Sequence, residues 1–233
     1  MKYILLKVVF LFLFCSVGFA QDSLLHRNLA IKIAPLSMLD IDNTFQLGIE
    51  HRLKGNRWTL SEEFGYGAAA ANLWMGANDN SKLREVFRAK VEARKYKQAF
   101  TGTYVAYEAF YKQVNDRLQR GIGRECEDGW CNYFENINYP VSKYVIGATA
   151  KLGYQTRFKN ELKHKGNFIF DIYVGLGLRR KIIDHAYDEE LDSQSSWFYR
   201  GDNIYANNGF GYKDRKYNIP HFSLGIKFGY LIF

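Results

Sequence analysis

Residues 221 to 232 read His-Phe-Ser-Leu-Gly-Ile-Lys-Phe-Gly-Tyr-Leu-Ile, in which large apolar side chains alternate with small or polar ones. Successive side chains of a β-strand point to opposite faces, so one face of this segment is apolar and the other carries Ser223, Lys227 and two glycines. A lysine among glycines does not suit an ordinary core, but it suits the polar interior of a barrel whose outside touches lipid. The segment therefore predicts one strand of a membrane-spanning β-barrel.

The same period-two alternation recurs along the chain. It covers eight segments, residues 28–39, 44–53, 57–68, 83–97, 100–113, 141–158, 167–184 and 219–233. Most match or exceed the roughly 9 to 11 residues that a tilted strand needs to cross a bilayer. The fold class predicted is therefore all-β, with eight strands.

The connections between these segments alternate in length. They are short after the second, fourth and sixth segments and long after the third, fifth and seventh; residues 40–43 are the exception, a short link where a long one is expected. An even number of strands puts all short turns on one side of a membrane. The sequence thus predicts an antiparallel up-and-down transmembrane barrel with both termini in the periplasm.

The amino terminus predicts a secretory leader. Lys2 precedes an apolar run over residues 4–14, and Gly18-Phe19-Ala20 places small residues where a signal peptidase reads them. We expect residues 1–20 to be a cleaved signal peptide and residues 21–233 to form a single barrel domain. No second run of roughly 20 apolar residues follows, so a membrane-spanning mature chain must use strands.

Composition favours the same class and excludes others. Aromatic residues make up 17% of the chain, as expected for interfacial girdles. There is no phosphate-binding loop, dinucleotide fingerprint, zinc motif or basic helix, so we expect no cofactor, no metal and no nucleic-acid partner. The net charge of +8 predicts contact with outer-membrane lipid and lipopolysaccharide phosphates.

Charged residues recur on the polar face of the predicted strands, where they would converge inside the barrel. They are Glu50, Arg52, Lys90, Glu92, Arg94, Glu108, Lys151, Arg157, Asp171, Arg179 and Lys227. The interior of an eight-stranded barrel is just wide enough for side chains to fill it, and charges confined there must pair. We expect an ion-paired plug; the alternative is a narrow ion or solute path through a charged lumen.

Three further sets of residues are candidates for contacts outside the lumen. We expect a lipid-facing set of Phe168, Phe170, Phe222, Leu224, Ile226, Phe228 and Tyr230. A loop set of Trp74, Trp130, Tyr133, Trp197, Tyr199 and Tyr205 lies among Asn, Asp and Gly, a composition that recognition surfaces favour. It predicts a protein or glycan partner, although these aromatics could instead pack on one another. Cys126 and Cys131, close together in an exported chain, predict a disulfide.

The chain resembles the small outer-membrane barrels of the OmpA/OmpX-like architecture, and more narrowly a Bacteroidetes-type barrel family of unknown function. The resemblance rests on residues 28–37, 46–53, 92–96, 173–179 and 225–230. It implies a fold and a location in the bacterial outer membrane, but no catalytic residue. We therefore expect a non-enzymatic barrel with a structural or docking role. A remote alternative is a lipid A-modifying hydrolase, since His221-Phe222-Ser223 resembles the His-x-Ser pair of barrels that deacylate lipid A.

Overall fold

The computed structural model describes residues 29–40, 42–53, 57–68, 84–127, 130–158, 167–186 and 215–232. The strands are β1 (Leu29–Ile33), β2 (Phe45–Arg52), β3 (Trp58–Ala68), β4 (Glu85–Gln98), β5 (Thr101–Glu127), β6 (Trp130–Arg157), β7 (Phe168–His185) and β8 (Arg215–Leu231). A 3-10 turn covers Pro35–Leu39. No helix within these ranges is long and apolar enough to cross a bilayer. The predicted leader, residues 1–20, lies outside the described residues and stays a prediction.

The eight strands form one antiparallel sheet that closes on itself. Each strand pairs with the next along the chain, and β8 pairs with β1 through partners such as Leu231 and Ala30. Closure leaves neither β1 nor β8 as an open edge. The all-β, eight-stranded antiparallel prediction is confirmed at this level, as a ring of strands.

Side-chain direction follows the predicted parity. On β7, Ile169, Asp171 and Tyr173 are buried inside the ring, whereas Phe168 and Ile172, between and beside them, are exposed outside. The interior is layered from one end to the other. An apolar floor lies where β4 turns into β5, and it consists of Ala30, Ala99, Phe100, Ile169 and Leu231. Charged residues fill the middle, and a second apolar group near the other end consists of Val86, Val114, Val141 and Ile183.

The first predicted strand is too long. β1 ends at Ile33; residues 34–40 leave the strand through the 3-10 turn, and Asp42, Asn43 and Thr44 are buried in the ring. Pro35 has no backbone N–H for a ladder, and the Ser37 hydroxyl lies 2.6 Å from the carbonyl oxygens of both Ala34 and Thr44. The connection between β1 and β2 is therefore longer than the sequence suggested, which removes the exception in loop length.

The predicted loop over residues 114–140 is mostly strand. β5 and β6 contain 27 and 28 residues and continue as a two-stranded ribbon past the ring, because β4 stops pairing at Asn115 and β7 at Val141. The segment over residues 116–138 has polar side chains at positions of both parities. It therefore gives no period-two signal, and the sequence pattern missed it.

Candidate functional site

The middle of the ring holds a compact group of buried ion pairs, which we call the inner cluster. Its cations are Lys32, Lys90, Arg94, Lys151 and Lys227, and its carboxylates are Glu50, Glu63, Glu92, Glu108 and Asp171. They come from β1 through β8, and each occupies an inward position of its strand. The alternation of the strands therefore brings residues far apart in sequence to one place.

Arg94 lies at the centre of the inner cluster. Its Nε is 2.7 Å from Glu92, and its Nη1 is 2.7 Å from Asp171 and 3.2 Å from Glu50. Its side chain is fully buried. A guanidinium presents several donors in a fixed plane, so one residue can neutralise carboxylates from three directions.

Two lysines connect the remaining carboxylates. Lys151 Nζ is 2.5 Å from Glu108 and 3.2 Å from Glu92. Lys227 pairs with Glu63 and lies 3.4 Å from Glu92. Both ammonium groups also face the ring of Tyr173, with Lys151 at 4.1 Å and Lys227 at 4.9 Å from its centroid. Glu92 thus shares its charge among several cations.

Neutral side chains add further hydrogen bonds to the inner cluster. The Tyr104 hydroxyl donates to Asp171 at 2.7 Å, and the Gln155 amide accepts from Lys32 at 2.6 Å while donating to the Phe100 carbonyl at 3.1 Å. The Tyr104 ring lies over Gly153, where a Cβ would come within 2.2 Å of it. Glycine therefore makes room for the aromatic layer that surrounds Arg94.

The inner cluster is electrically balanced, with five cations and five carboxylates among the described residues. Burying an unpaired ion costs several kcal/mol, and pairing with extra hydrogen bonds offsets that cost. Selective ion paths, in contrast, use rings of charge of one sign. Chemically, this arrangement can hold the interior together and fill it.

A second group of charges lies nearer the end at which β1 leads into β2. This mouth cluster consists of Asp40, Asp42, Arg84, Arg88, Lys112 and Lys143. Asp42, from the inward connection, lies 2.8 Å from Lys112 and 3.0 Å from Lys143 and also pairs with Arg84. Since these cations belong to β4, β5 and β6 or lie beside them, the connection reaches across the interior.

The two aspartates of the mouth cluster favour the ionised form. Burial by itself would raise the pKa of the Asp42 carboxyl, but Lys112, Lys143 and Arg84 outweigh it and hold that pKa well below its ordinary value. Burial likewise works against the charge of Asp40, whereas Lys112 and Arg88 lower its pKa. Both carboxylates therefore stay charged at neutral pH.

The structure places the predicted lumen residues in two groups. Seven are buried in the inner cluster, namely Glu50, Glu92, Arg94, Glu108, Lys151, Asp171 and Lys227, and Lys90 lies at its edge, 3.7 Å from Glu63. Arg52, Arg157 and Arg179 are half-buried and lie outside it. Sequence reasoning missed Lys32 and Glu63, whose strand parity could have found them. It also missed the mouth aspartates, which no parity could have found.

The remaining predicted residues lie outside the lumen. The residues of β7 and β8 that were predicted to face lipid lie on the outer face of the ring, where Phe168, Phe222 and Leu224 are each more than 60% exposed. Trp130 and Tyr133 belong to strand β6, not to a loop, since the ribbon extends through them. Trp74, Trp197, Tyr199 and Tyr205 lie outside the described residues. Cys126 and Cys131 are register partners, so the backbone places them opposite each other; their side chains lie outside the described part, and the disulfide stays a prediction.

His221 and Ser223 occupy inward positions of β8. The centroids of the His221 and Phe110 rings are 4.9 Å apart. Within the described ranges, no group of three or more His, Cys, Asp or Glu side chains is arranged to hold a metal ion. No family model, curated protein or solved structure matches this chain.

Proposed function

We propose that this chain is an integral β-barrel of the bacterial outer membrane, with a filled lumen and a non-enzymatic role as a structural or docking protein. One observation carries the proposal. The ring buries its ions and exposes its aliphatic and aromatic side chains, the reverse of the arrangement that water favours.

The exposed apolar surface surrounds the ring. Exposed residues of this kind occur on β1, β2, β3, β5, β6, β7 and β8, for example Ile31, Leu47, Phe64, Tyr107, Leu152, Leu176 and Leu224. Monomeric soluble proteins rarely expose contiguous apolar patches larger than a few hundred Å². A surface of this extent suits hydrocarbon, and a closed sheet leaves no unpaired backbone edge in it.

Polar residues of the outer face lie mostly toward the strand ends. Lys95 is near the end of β4, whereas Arg180 and Asp184 lie in the last part of β7. Glu62, midway along β3 and half-exposed, departs from this pattern. Polar ends flanking an apolar band match the layout of membrane barrels. β1 begins and β8 ends at the end of the ring where the short connections β2–β3, β4–β5 and β6–β7 lie. In membrane barrels the short turns are periplasmic, which supports periplasmic termini.

The balanced inner cluster and the apolar floor favour a plug over a channel. Strand pairing carries the β5–β6 ribbon well past the ring, and Tyr133 on it is 53% exposed. In the proposed orientation the ribbon projects from the cell surface. It could then present side chains to a protein or glycan partner, which supports a docking role.

Cell fractionation tests the location. We expect the full chain, expressed in a Gram-negative host, to be recovered with the outer membrane and to need detergent for extraction. The folded form should resist SDS and shift in gel mobility on boiling. Recovery as a folded protein in the aqueous periplasmic fraction would refute the proposal.

Conductance in planar bilayers tests the plug separately from the location. A filled lumen predicts no stable current steps after insertion is verified by protease protection. Reproducible unitary conductance would instead support the channel alternative while leaving the membrane location intact.

A further inference from the structure

Two cations of the mouth cluster face each other in an unusual way. Arg88 on β4 and Lys112 on β5 are direct register partners, and both point into the ring. Their side chains are only 12% and 11% exposed. Like charges directly opposite each other on neighbouring strands are destabilising, so each member of the pair needs an anion; for Lys112 this is Asp42, 2.8 Å away.

Asp40 supplies the anion for Arg88 from within the chain. Its carboxylate lies 2.5 Å from Arg88 but 3.8 Å from Lys112, so its contact with the lysine is at the limit of an ion pair. The Asp40 side chain is 41% exposed. It is therefore held by one strong contact, on the solvent-accessible side of the mouth cluster.

Asp42 differs from Asp40 in both respects. It is buried and touches Lys112, Lys143 and Arg84. It anchors the connection across the ring through contacts that do not involve Asp40. The Asp40 position can thus change its occupant without dismantling the rest of the mouth cluster.

We propose that Arg88 and Lys112 form a binding site for a phosphate group, which Asp40 fills from within the chain and which an incoming phosphate takes over by displacing Asp40. A tetrahedral dianion offers oxygens in several directions, so it can accept from the guanidinium fork and from the ammonium together. The single carboxylate of Asp40, which follows the 3-10 turn, lies close to the guanidinium of Arg88 but not to the ammonium of Lys112. The site needs only the ring and its inward connection, whether or not the ring lies in a membrane.

Isothermal titration of the detergent-folded full chain with inorganic pyrophosphate tests the site. Asp40→Asn removes the internal competitor and should tighten binding about tenfold, the effect of one unit charge a few ångströms away in a partly exposed setting. In the Asp40→Asn background, Lys112→Gln and Arg88→Gln should each weaken binding by a similar factor. Arg88→Lys keeps the charge but loses the fork, so it should give intermediate affinity.

The matched control is Arg124→Gln, which removes an exposed arginine of the ribbon that pairs with Glu135 and should leave pyrophosphate binding unchanged. A parallel titration with phosphatidic acid in mixed micelles separates the two sources of phosphate. Binding that depends on the variants only with pyrophosphate identifies a soluble ligand. Binding that depends on them only with phosphatidic acid identifies a lipid headgroup. Absence of binding to both probes by folded Asp40→Asn protein would overturn the proposal. So would binding that responds equally to Arg124→Gln and Lys112→Gln.

Discussion

At the scale of single residues, the interior depends on side chains that satisfy several partners at once. Arg94 contacts Glu50, Glu92 and Asp171, and Asp42 contacts three cations in the same manner. In each case one central charge compensates several others that are buried with it. Removal of a central charge therefore leaves uncompensated ions, which cost far more than a lost surface pair.

Arg94→Met should destabilise the folded protein by about 3 to 5 kcal/mol, because it leaves buried carboxylates without their main cation. Urea titration in detergent micelles, followed by tryptophan fluorescence, measures the change in free energy of unfolding. The control is Lys95→Met, one residue along β4 and exposed on the outer face, where we expect a change within about 0.5 kcal/mol. Equal effects of the two substitutions would contradict the assignment of Arg94 to the centre of the inner cluster.

Asp42→Asn should show a pH-dependent cost. Because the folded pKa of Asp42 is lowered, its ionisation stabilises the fold fully above the ordinary carboxyl value near pH 4, and this contribution is lost as the pH falls through the lower folded pKa. Wild type should therefore exceed Asp42→Asn in stability at pH 7, and the gap should shrink at pH 2. Urea midpoints at both pH values measure it, with the exposed Asp184→Asn as control. A gap that stays constant would refute the electrostatic origin.

At the scale of elements, the β5–β6 ribbon and the β1–β2 connection depart most from the expected barrel. The ribbon extends the sheet beyond the ring, whereas the connection folds into the ring. A two-stranded ribbon is at most marginally stable by itself. Some local cross-link near its tip would therefore help to keep β5 and β6 in register.

Cys126 and Cys131 are placed to provide that cross-link. Directly opposed residues of antiparallel strands have Cα atoms about 4.5 to 5.5 Å apart, within the range that a disulfide accepts. We expect a disulfide in protein exported through an oxidising compartment. Thiol labelling followed by mass spectrometry should find both cysteines protected before reduction and labelled after it. Labelling of both in unreduced, folded protein would refute the bridge. Cys131→Ser should leave the ring folded, because the pair lies beyond the last β6–β7 contact at Val141.

At the scale of the whole molecule, the ring separates two environments. Its interior is packed with ions and its outer surface is largely apolar, an arrangement that the proposed membrane location would stabilise. This inversion can be tested at one position on the outer face.

Val174→Arg tests what the outer surface touches. Val174 lies on the outer face of β7 between the exposed Leu152 and Leu224 of the neighbouring strands. In a bilayer, arginine near the midplane should cost about 2 to 4 kcal/mol, whereas at an exposed site in water the change should stay within about 0.5 kcal/mol. Urea unfolding in lipid vesicles measures it. The control is Asn218→Arg, at an exposed position near the first residue of β8, Arg215. A cost below 0.5 kcal/mol for Val174→Arg would argue against lipid contact.

The period-two alternation predicted eight antiparallel strands and the face on which their side chains lie, because it is a local property that each strand carries in its own residues. Which charges meet, in contrast, depends on how the strands close into a ring. Closure of the sheet brings Arg94 to Asp171, and the inward connection after Ile33 brings Asp42 to Lys143. The two residues of each pair are far apart in sequence. The ribbon also required the structure, because past the ring its two strands pair only with each other and its sequence has polar residues at positions of both parities.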